Sequence, residues 1–356
     1  MKFNCFLIYD RRADNISLMK KRVSLKDIAK KVGVSITLVS YVLNNKHLNR
    51  ISTHIAEKIK QVAAELNYKP NQVAKGLKTN KTQTIGLLVA DISNAFSSTM
   101  ARIIENEAEK YNYTVIFGSC DENTERSKKL MDVLINHQVD GLIITPTEHS
   151  EEQLQYLVDN DIPFVLIDRF YEELACSHIS LDNFEAGKKL TSHLLENDCS
   201  RIGLITYRTT INNIVERKLG YIEALKEHGL EFDDALVKEV SSPIVSSEIS
   251  EVIKELLSMP QPADSLIFTA NMLSTHGLRY IVTLPIKVPD DLAIATFDQS
   301  EAADLFYAPL THIKQPLEEM GRLAVQTLMA TIDEKKELVQ LQLTGELVVR
   351  KSSIVI

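Results

Sequence analysis

The 356-residue chain contains no tryptophan and only four cysteines. Cys5, Cys120, Cys176 and Cys199 are scattered without metal-ligand spacing. That excludes a zinc site and a disulfide framework, and fits free thiols in a reducing cytoplasm. No apolar run approaches the roughly 18 residues of a membrane span. The opening MKFNCFLIYDRR has too short an apolar stretch, and no small-residue cleavage site, for a signal peptide. The phosphate and nucleophile motifs of α/β enzymes are missing too. No GxGxxG follows the first strand-like run, and neither GxxxxGK[ST] nor GxSxG is present. His178, His193 and His228 lie in polar or helical contexts without metal spacing. No catalytic centre, metal or cofactor is expected.

What is present is charge, divided unevenly. The net of −8 averages two unlike parts. Met19–Thr82 holds 14 Lys and Arg against Asp27, Glu57 and Glu65, a net of +11, while residues 1–18 add only +1. Residues 83–356 hold 23 basic and 43 acidic groups, a net of −20. A small basic module suits a polyanion, and the acidic body would be repelled from one. The 44% apolar content supports real cores in both parts.

Residues 1–18 show no clear period. The expectation is either a disordered tail or a physiological start at Met19. From Ser24 the pattern is helical. Leu25, Ile28, Ala29 and Val32 fall on one face, Ser24 can cap that helix, and Gly33 ends it. Ser35 can cap a second helix with Leu38, Val39, Val42 and Leu43 inward. Ile55, Ile59, Val62, Ala63 and Leu66 mark a third, stopped by Pro70. NQVAKGL follows as one short helical segment, too short to be stable alone and weakened further by Gly76. Such a segment should order only when paired with its twin.

After Thr84 apolar runs recur: TIGLLVA, YTVIFGS, DGLIITP, PFVLID, RIGLITY, SLIFTA and LAIATF. Helical patterns lie between most of them, which predicts parallel sheets covered by helices on both faces. About 270 residues exceed one such core, so two lobes are expected. The C-terminal LVQLQLTGELVVRKSSIVI reads as strands, without a leucine heptad beyond the core, so a dimer is expected and not a dimer of dimers.

Two helices joined by GVS form a helix-turn-helix, whose second helix would lie in the major groove. KDIAKKVGVS, VSYVLN, ELNYKPNQVAKGL, IGLLVADISNAF, IDR, a DN pair, ERKLGYIEAL, ATFDQSE and PLTHIKQP then stand in one order. Together they resemble the LacI/GalR family of bacterial transcription regulators, over about residues 22–350. The resemblance implies four parts: a tail or misassigned start at 1–18, a helix-turn-helix headpiece at 19–69, a hinge helix and linker at 70–82, and a two-lobed periplasmic-binding-protein-like α/β core at 83–356. It implies a cytoplasmic homodimer, probing operator DNA through the major groove and a central minor groove, with a small-molecule effector, a sugar or sugar derivative, between the lobes.

By the same resemblance, Ser24, Ser35, Ile36, Thr37, Ser40, Tyr41, Asn44 and Ser52 face bases or phosphates. Asn71, Val73, Ala74 and Leu77 belong to the hinge, with Leu77 as a wedge in the minor groove. The family's usual arginine is replaced by Tyr41, which can touch a thymine methyl but cannot fork onto guanine. That implies A·T preference opposite Tyr41, unless its ring simply packs on the headpiece core. NNKHLNRIS is about two residues longer than the common family loop. Effector positions that match are Asp91, Asn94, Phe96, Asp168, Arg217, Asn271, Asp298 and Gln315. Arg169, in IDR, is expected to make an interlobe ion pair. Two other readings stay open at this point: an enzyme on an α/β core, and a DNA-binding protein whose core only dimerises.

Overall fold

The computed structural model describes residues 23–69, 81–241, 245–333 and 337–354. The expectations for residues 1–18 and for the hinge segment PNQVAKGL, with Asn71, Val73, Ala74 and Leu77, lie outside the described residues. The chain divides into two units, Met1–Thr79 and Asn80–Ile356.

Among its described residues the first unit holds three α-helices: α1 (Leu25–Val32), α2 (Ile36–Leu43) and α3 (Thr53–Glu65). Its start is set by Asp27, whose carboxylate accepts from the Ser24 amide (2.9 Å) and hydroxyl (2.6 Å). The first of these bonds engages a backbone donor that the first helical turn leaves without an intrahelical partner. Gly33 closes α1 in the left-handed region at φ +83°, where a glycine carries no steric cost. Ser35 then caps α2, its Oγ accepting from the Leu38 amide at 3.2 Å. Ile28, Val39, Val42, Ile59 and Val62 meet in one cluster, the inward positions of the three helical periods. A fully buried Val or Ile contributes roughly 1.5–3 kcal/mol, so that cluster is what holds α2 at its angle.

The second unit is built twice over. Its first sheet orders β2 (Thr114–Ser119), β1 (Thr84–Val89), β3 (Gly141–Ile144), β4 (Phe164–Ile167) and β5 (Ser177–Leu181), all parallel. The second orders β7 (Val237–Val240), β6 (Ile202–Tyr207), β8 (Ser265–Phe268), β9 (Ala293–Phe297) and β10 (Thr311–Lys314) in the same 2-1-3-4-5 sense. Parallel strands need crossovers, and the intervening helices cover both faces, which is why most strands are apolar throughout. The chain passes between lobes three times. It leaves the first lobe after β5 and returns after β10, where the helix Leu317–Ile332 buries Met320, Ala324, Val325 and Leu328 against the first sheet. β11 (Gln340–Leu343) joins β5 in parallel, and β12 (Glu346–Val348) then joins β10 antiparallel across the second lobe. The two-lobed expectation holds. The C-terminal run is only partly strand: beyond β12 it ends in a 3-10 turn at Lys351–Ser353.

Three strands escape the sequence reading: β5, β7 and β10. In β5 the polar Ser177, His178 and Ser180 are all buried. No helix of the described residues is long and apolar enough to cross a membrane.

Candidate functional site

The outward face of α2 is the first candidate surface. Ile36 is 47% exposed and Tyr41 37%, while Val39 and Val42 on the opposite face are fully buried. Thr37 and Asn44 are exposed and Ser40 half-buried. A large apolar side chain left in water at the start of a short helix contributes nothing to the headpiece core. Ser52 is exposed just ahead of α3, and Ser24 just ahead of α1. The long loop after α2 folds back on it. The Lys46 amide donates to the Tyr41 carbonyl at 2.8 Å, and the His47 ring meets the Tyr41 ring edge-on at 4.9 Å between centroids. So Tyr41 does not enter the headpiece core; it packs on the loop and keeps an exposed edge.

The second candidate surface lies where the two lobes face each other, at the carboxyl ends of their strands. In open α/β sheets that edge is where ligands bind. Asp168 follows β4 and Asp298 follows β9, equivalent strands of the two lobes. Both take the left-handed conformation, φ +70° and +69°. Both donate their amides to the neighbouring strand, Asp168 to Ile179 at 2.9 Å and Asp298 to Ile313 at 3.1 Å. Aspartate is among the few side chains that tolerate this region. The repeated turn aims one carboxylate from each lobe into the cleft.

Arg217 stands with them on the helix α8 (Asn212–Glu227), only 3% exposed. Its Nε donates to Asn183 Oδ1 at 2.8 Å and its Nη1 to the Thr269 carbonyl at 2.6 Å, and its guanidinium lies 4.1 Å over the Phe297 ring. Asn183 begins the neighbouring helix α7 (Asn183–Glu196), and two glycines let α7 and α8 approach. A Cβ on Gly187 would stand 2.4 Å from the Arg217 carbonyl oxygen, and one on Gly220 would stand 2.1 Å from that of Phe184. Burial pushes the Asp168 carboxyl above its usual range, against the pull of Arg169 and Arg217. Burial likewise lowers the Arg217 pKa, opposed by Asp298 and Asp168. In both groups desolvation outweighs the attraction, which is the condition of a charge cluster short of partners.

Gln315 Nε2 donates to Asp298 at 2.6 Å, and with Phe96 these two residues line a cavity of about 490 Å³. Asn271 is buried at the start of its helix, 6% exposed, with Oδ1 accepting from Thr275. Asp91 and Asn94 are engaged locally. Asp91 accepts from the Ser93 amide and hydroxyl, and Asn94 caps the helix Ala95–Lys110. Arg169 departs from expectation: its guanidinium grips Glu122 at 2.7 and 2.8 Å, within the first lobe, so the pair is not interlobe. The reason is topological, since Glu122 and Arg169 follow strands of the same sheet. This carboxylate, against the cost of burial, raises the Arg169 pKa.

Other residues join the lobes without having been foreseen. Asn213 Nδ2 reaches both oxygens of Asp168 at 3.4 Å, and the Phe170 amide donates to Asn212 Oδ1 at 3.2 Å. Glu148 of the first lobe accepts from Thr209 Oγ1 at 2.9 Å and from the amide and hydroxyl of Thr210. Burial would raise its pKa, but those three bonds hold it below the usual carboxylate range. A second cavity of about 720 Å³ opens beside this seam. No sequence signal marks Asn212, Asn213 or Thr210, because their roles exist only when the lobes face each other. Among the described residues no cluster of His, Cys, Asp or Glu could hold a metal ion.

Comparison with known proteins gives these surfaces a context. Residues 24–71 match the model described as bacterial regulatory proteins, lacI family. Residues 82–349 match that of periplasmic binding proteins and the sugar binding domain of the LacI family. The "Probable HTH-type transcriptional regulator EndR" of Paenibacillus polymyxa is 31% identical over 317 residues, covering 88% of this chain and 92% of its own. A solved complex of the transcriptional regulator CelR with cellobiose is 26% identical, with TM-score 0.70, covering 93% of this chain and all of that one. The lac repressor dimer bound to operator and an anti-inducer shares the fold at TM-score 0.82, with 21% identity over 94% of this chain and all of its own. Helix-turn-helix headpiece, twin-sheet core and these matches agree: the chain belongs to the LacI family of bacterial transcription regulators, a non-enzymatic, DNA-binding family.

Proposed function

We propose that the protein is a cytoplasmic repressor that binds an operator as a homodimer and alters its grip when a small molecule, a sugar or sugar derivative, enters the cleft between the core lobes. The observation that carries this reading is a buried cation, Arg217, within the electrostatic reach of two carboxylates supplied by separate lobes, Asp168 and Asp298. Such a cluster is costly to bury without hydrogen-bonding partners, and a polyhydroxylated ligand would provide them. The CelR complex, with cellobiose bound to a relative, supports the ligand class. Phe96 would cover the apolar face of a ring, with Asn271, Gln315, Asp91 and Asn94 completing the effector set.

The division of labour follows the chain: a tail or misassigned start at 1–18, a headpiece at 19–69, a hinge and linker at 70–82, and the core at 83–356. On the DNA side, Ser35, Ile36, Thr37, Ser40, Tyr41 and Asn44 enter the major groove, while Ser24 and Ser52 hold phosphates. Asn71, Val73, Ala74 and Leu77 serve the minor groove. Phosphate contacts from the basic headpiece supply affinity without sequence choice and make binding steeply salt-dependent. Exposed apolar side chains support the homodimer: Ile116 and Phe117 on the edge strand β2, and Val282, Leu305 and Tyr307 on the second lobe. Selection of sites from random DNA by the full-length protein tests the reading. A palindromic site with A·T opposite Tyr41 is expected. An invariant G·C pair there would reject the base preference, and recovery of no consensus at all would reject the function.

A further inference from the structure

The unpartnered atoms of the cleft specify the charge of its ligand. Gln315 is 6% exposed and gives its amide nitrogen to Asp298, so the atom left over, buried and without a partner, is the acceptor Oε1. Asn213 is 4% exposed and gives its nitrogen to Asp168, so again the acceptor Oδ1 remains. In both residues the orientation is fixed, because a carboxylate can only accept. The hydrogen bonds to Asp168 are those two long ones of 3.4 Å from Asn213, with Arg169 Nε 3.7 Å away as an ion-pair partner. Two buried unpartnered donors lie beside them: Asn212 Nδ2, whose own oxygen is engaged by the Phe170 amide, and Arg169 Nε, 3.7 Å from Asp168. A hydroxyl satisfies either kind of atom, whereas a phosphate or carboxylate oxygen satisfies donors alone.

Charge points the same way. The cavity beside the seam is lined by Glu148, Glu151, Glu152, Asp159, Glu172 and Glu173, and its one cation, Arg169, is already gripped by Glu122. The cavity at Phe96 is lined by Asp298, Glu318 and Glu319, with Lys314 lying 3.8 Å from Glu346. Arg217 is enclosed by Asn183, the Thr269 carbonyl and Phe297. Both approaches to the cleft are therefore lined mainly by carboxylates, and Arg169 and Arg217 each already spend part of their guanidinium on protein partners. Low-dielectric walls of one sign focus such a field and repel a like-charged solute.

We infer that the effector is a hydrogen-bond donor-rich polyol that is uncharged or carries an ammonium group, and that the cleft rejects sugar phosphates and sugar acids. This rests on the effector reading above. Calorimetry on the full-length protein tests it with glucose, galactose, mannose and cellobiose, each beside its phosphate ester, and the hexoses also beside their uronates and 2-amino forms. The neutral or amino member of a set should bind at least tenfold more tightly than its anionic partners. In Asp298→Asn, which adds a donor and removes a charge, that preference should shrink about tenfold. A phosphate or uronate binding more tightly than its neutral parent would overturn the inference and leave the effector reading intact. Silence from every member, neutral and charged alike, would overturn both.

Discussion

Substituting Gly220 by alanine probes how the core holds its buried arginine. The new Cβ would lie 2.1 Å from the Phe184 carbonyl oxygen, 2.6 Å from the Lys188 amide and 3.1 Å from the Gly187 carbonyl carbon. All three are backbone atoms of α7, so no side chain can swing away and the helices must part. Carbon needs about 3.5 Å to a non-bonded neighbour, so the separation is on the order of 1 Å, which forfeits a quarter to a half of each dispersion contact along the seam. Overpacking of this kind costs about 1–3 kcal/mol. The same movement stretches the 2.8 Å bond from Arg217 to Asn183, which begins α7. A buried bond to a charged group adds about 1.5–3 kcal/mol. Taken together the loss should be about 3 kcal/mol or more, roughly 6–12 °C in Tm for a domain of this size. Gly229→Ala is the control. It meets nothing within 4 Å and suffers only its left-handed φ of +72°, so it should cost about 1 kcal/mol and spare the cleft. Thermal unfolding and calorimetry with a bound sugar would be read for both variants. If Gly220→Ala melts within 2 °C of the parent and binds ligand unchanged, Arg217 is not set by the α7–α8 approach.

Glu216 neighbours Arg217 on α8, and burial, then Asp182 and Glu172, push its carboxyl up to about 7. Between 4.5 and 7 the folded chain binds more protons than the unfolded one, so this group removes stability as pH rises. Glu216→Gln should therefore gain about 1–2 kcal/mol at pH 8 and nothing near pH 4.5; equal melting shifts at both would refute it. His178 and His193 act in the opposite sense, since burial lowers both pKa values. Their unfolded forms take up protons first as pH falls below about 6.5, so stability should drop there. A double His178→Gln, His193→Gln variant that keeps the whole slope would contradict this. Leu77→Ala should leave the fold intact by circular dichroism yet weaken specific operator binding about tenfold, an expected loss of about 1.4 kcal/mol. Unchanged operator affinity would count against the wedge.

Much of this molecule is legible in its letters. Ser24, Gly33 and Ser35 punctuate the headpiece through local rules that operate within four residues, and the seven apolar runs are strands because burial on both faces demands it. What stays hidden depends on distant partners. β5 conceals itself because Ser177 and His178 look like loop residues. In the fold Ser177 Oγ accepts from the Val339 amide, and the His178 ring stacks on Phe170 at 4.1 Å. The candidate cleft shows the same division. The family resemblance selects Asp168, Arg217, Asp298 and Gln315, which the core brings into one cleft. Asn183, Asn213 and Thr269, which complete that cleft, carry no motif, since their value comes from close helix packing and from the lobes facing each other. Arg169 shows the reverse error: its motif suggests a link between lobes, but chain topology puts its carboxylate at home.

In a ligand-controlled repressor the cleft and the DNA-binding face share one free-energy balance. Its most direct test measures operator affinity with and without a saturating cleft ligand, and ligand affinity with and without operator. Both should change by one common factor, about 5–150-fold, as a coupling of about 1–3 kcal/mol requires. Operator affinity that does not move while the ligand is bound would contradict it.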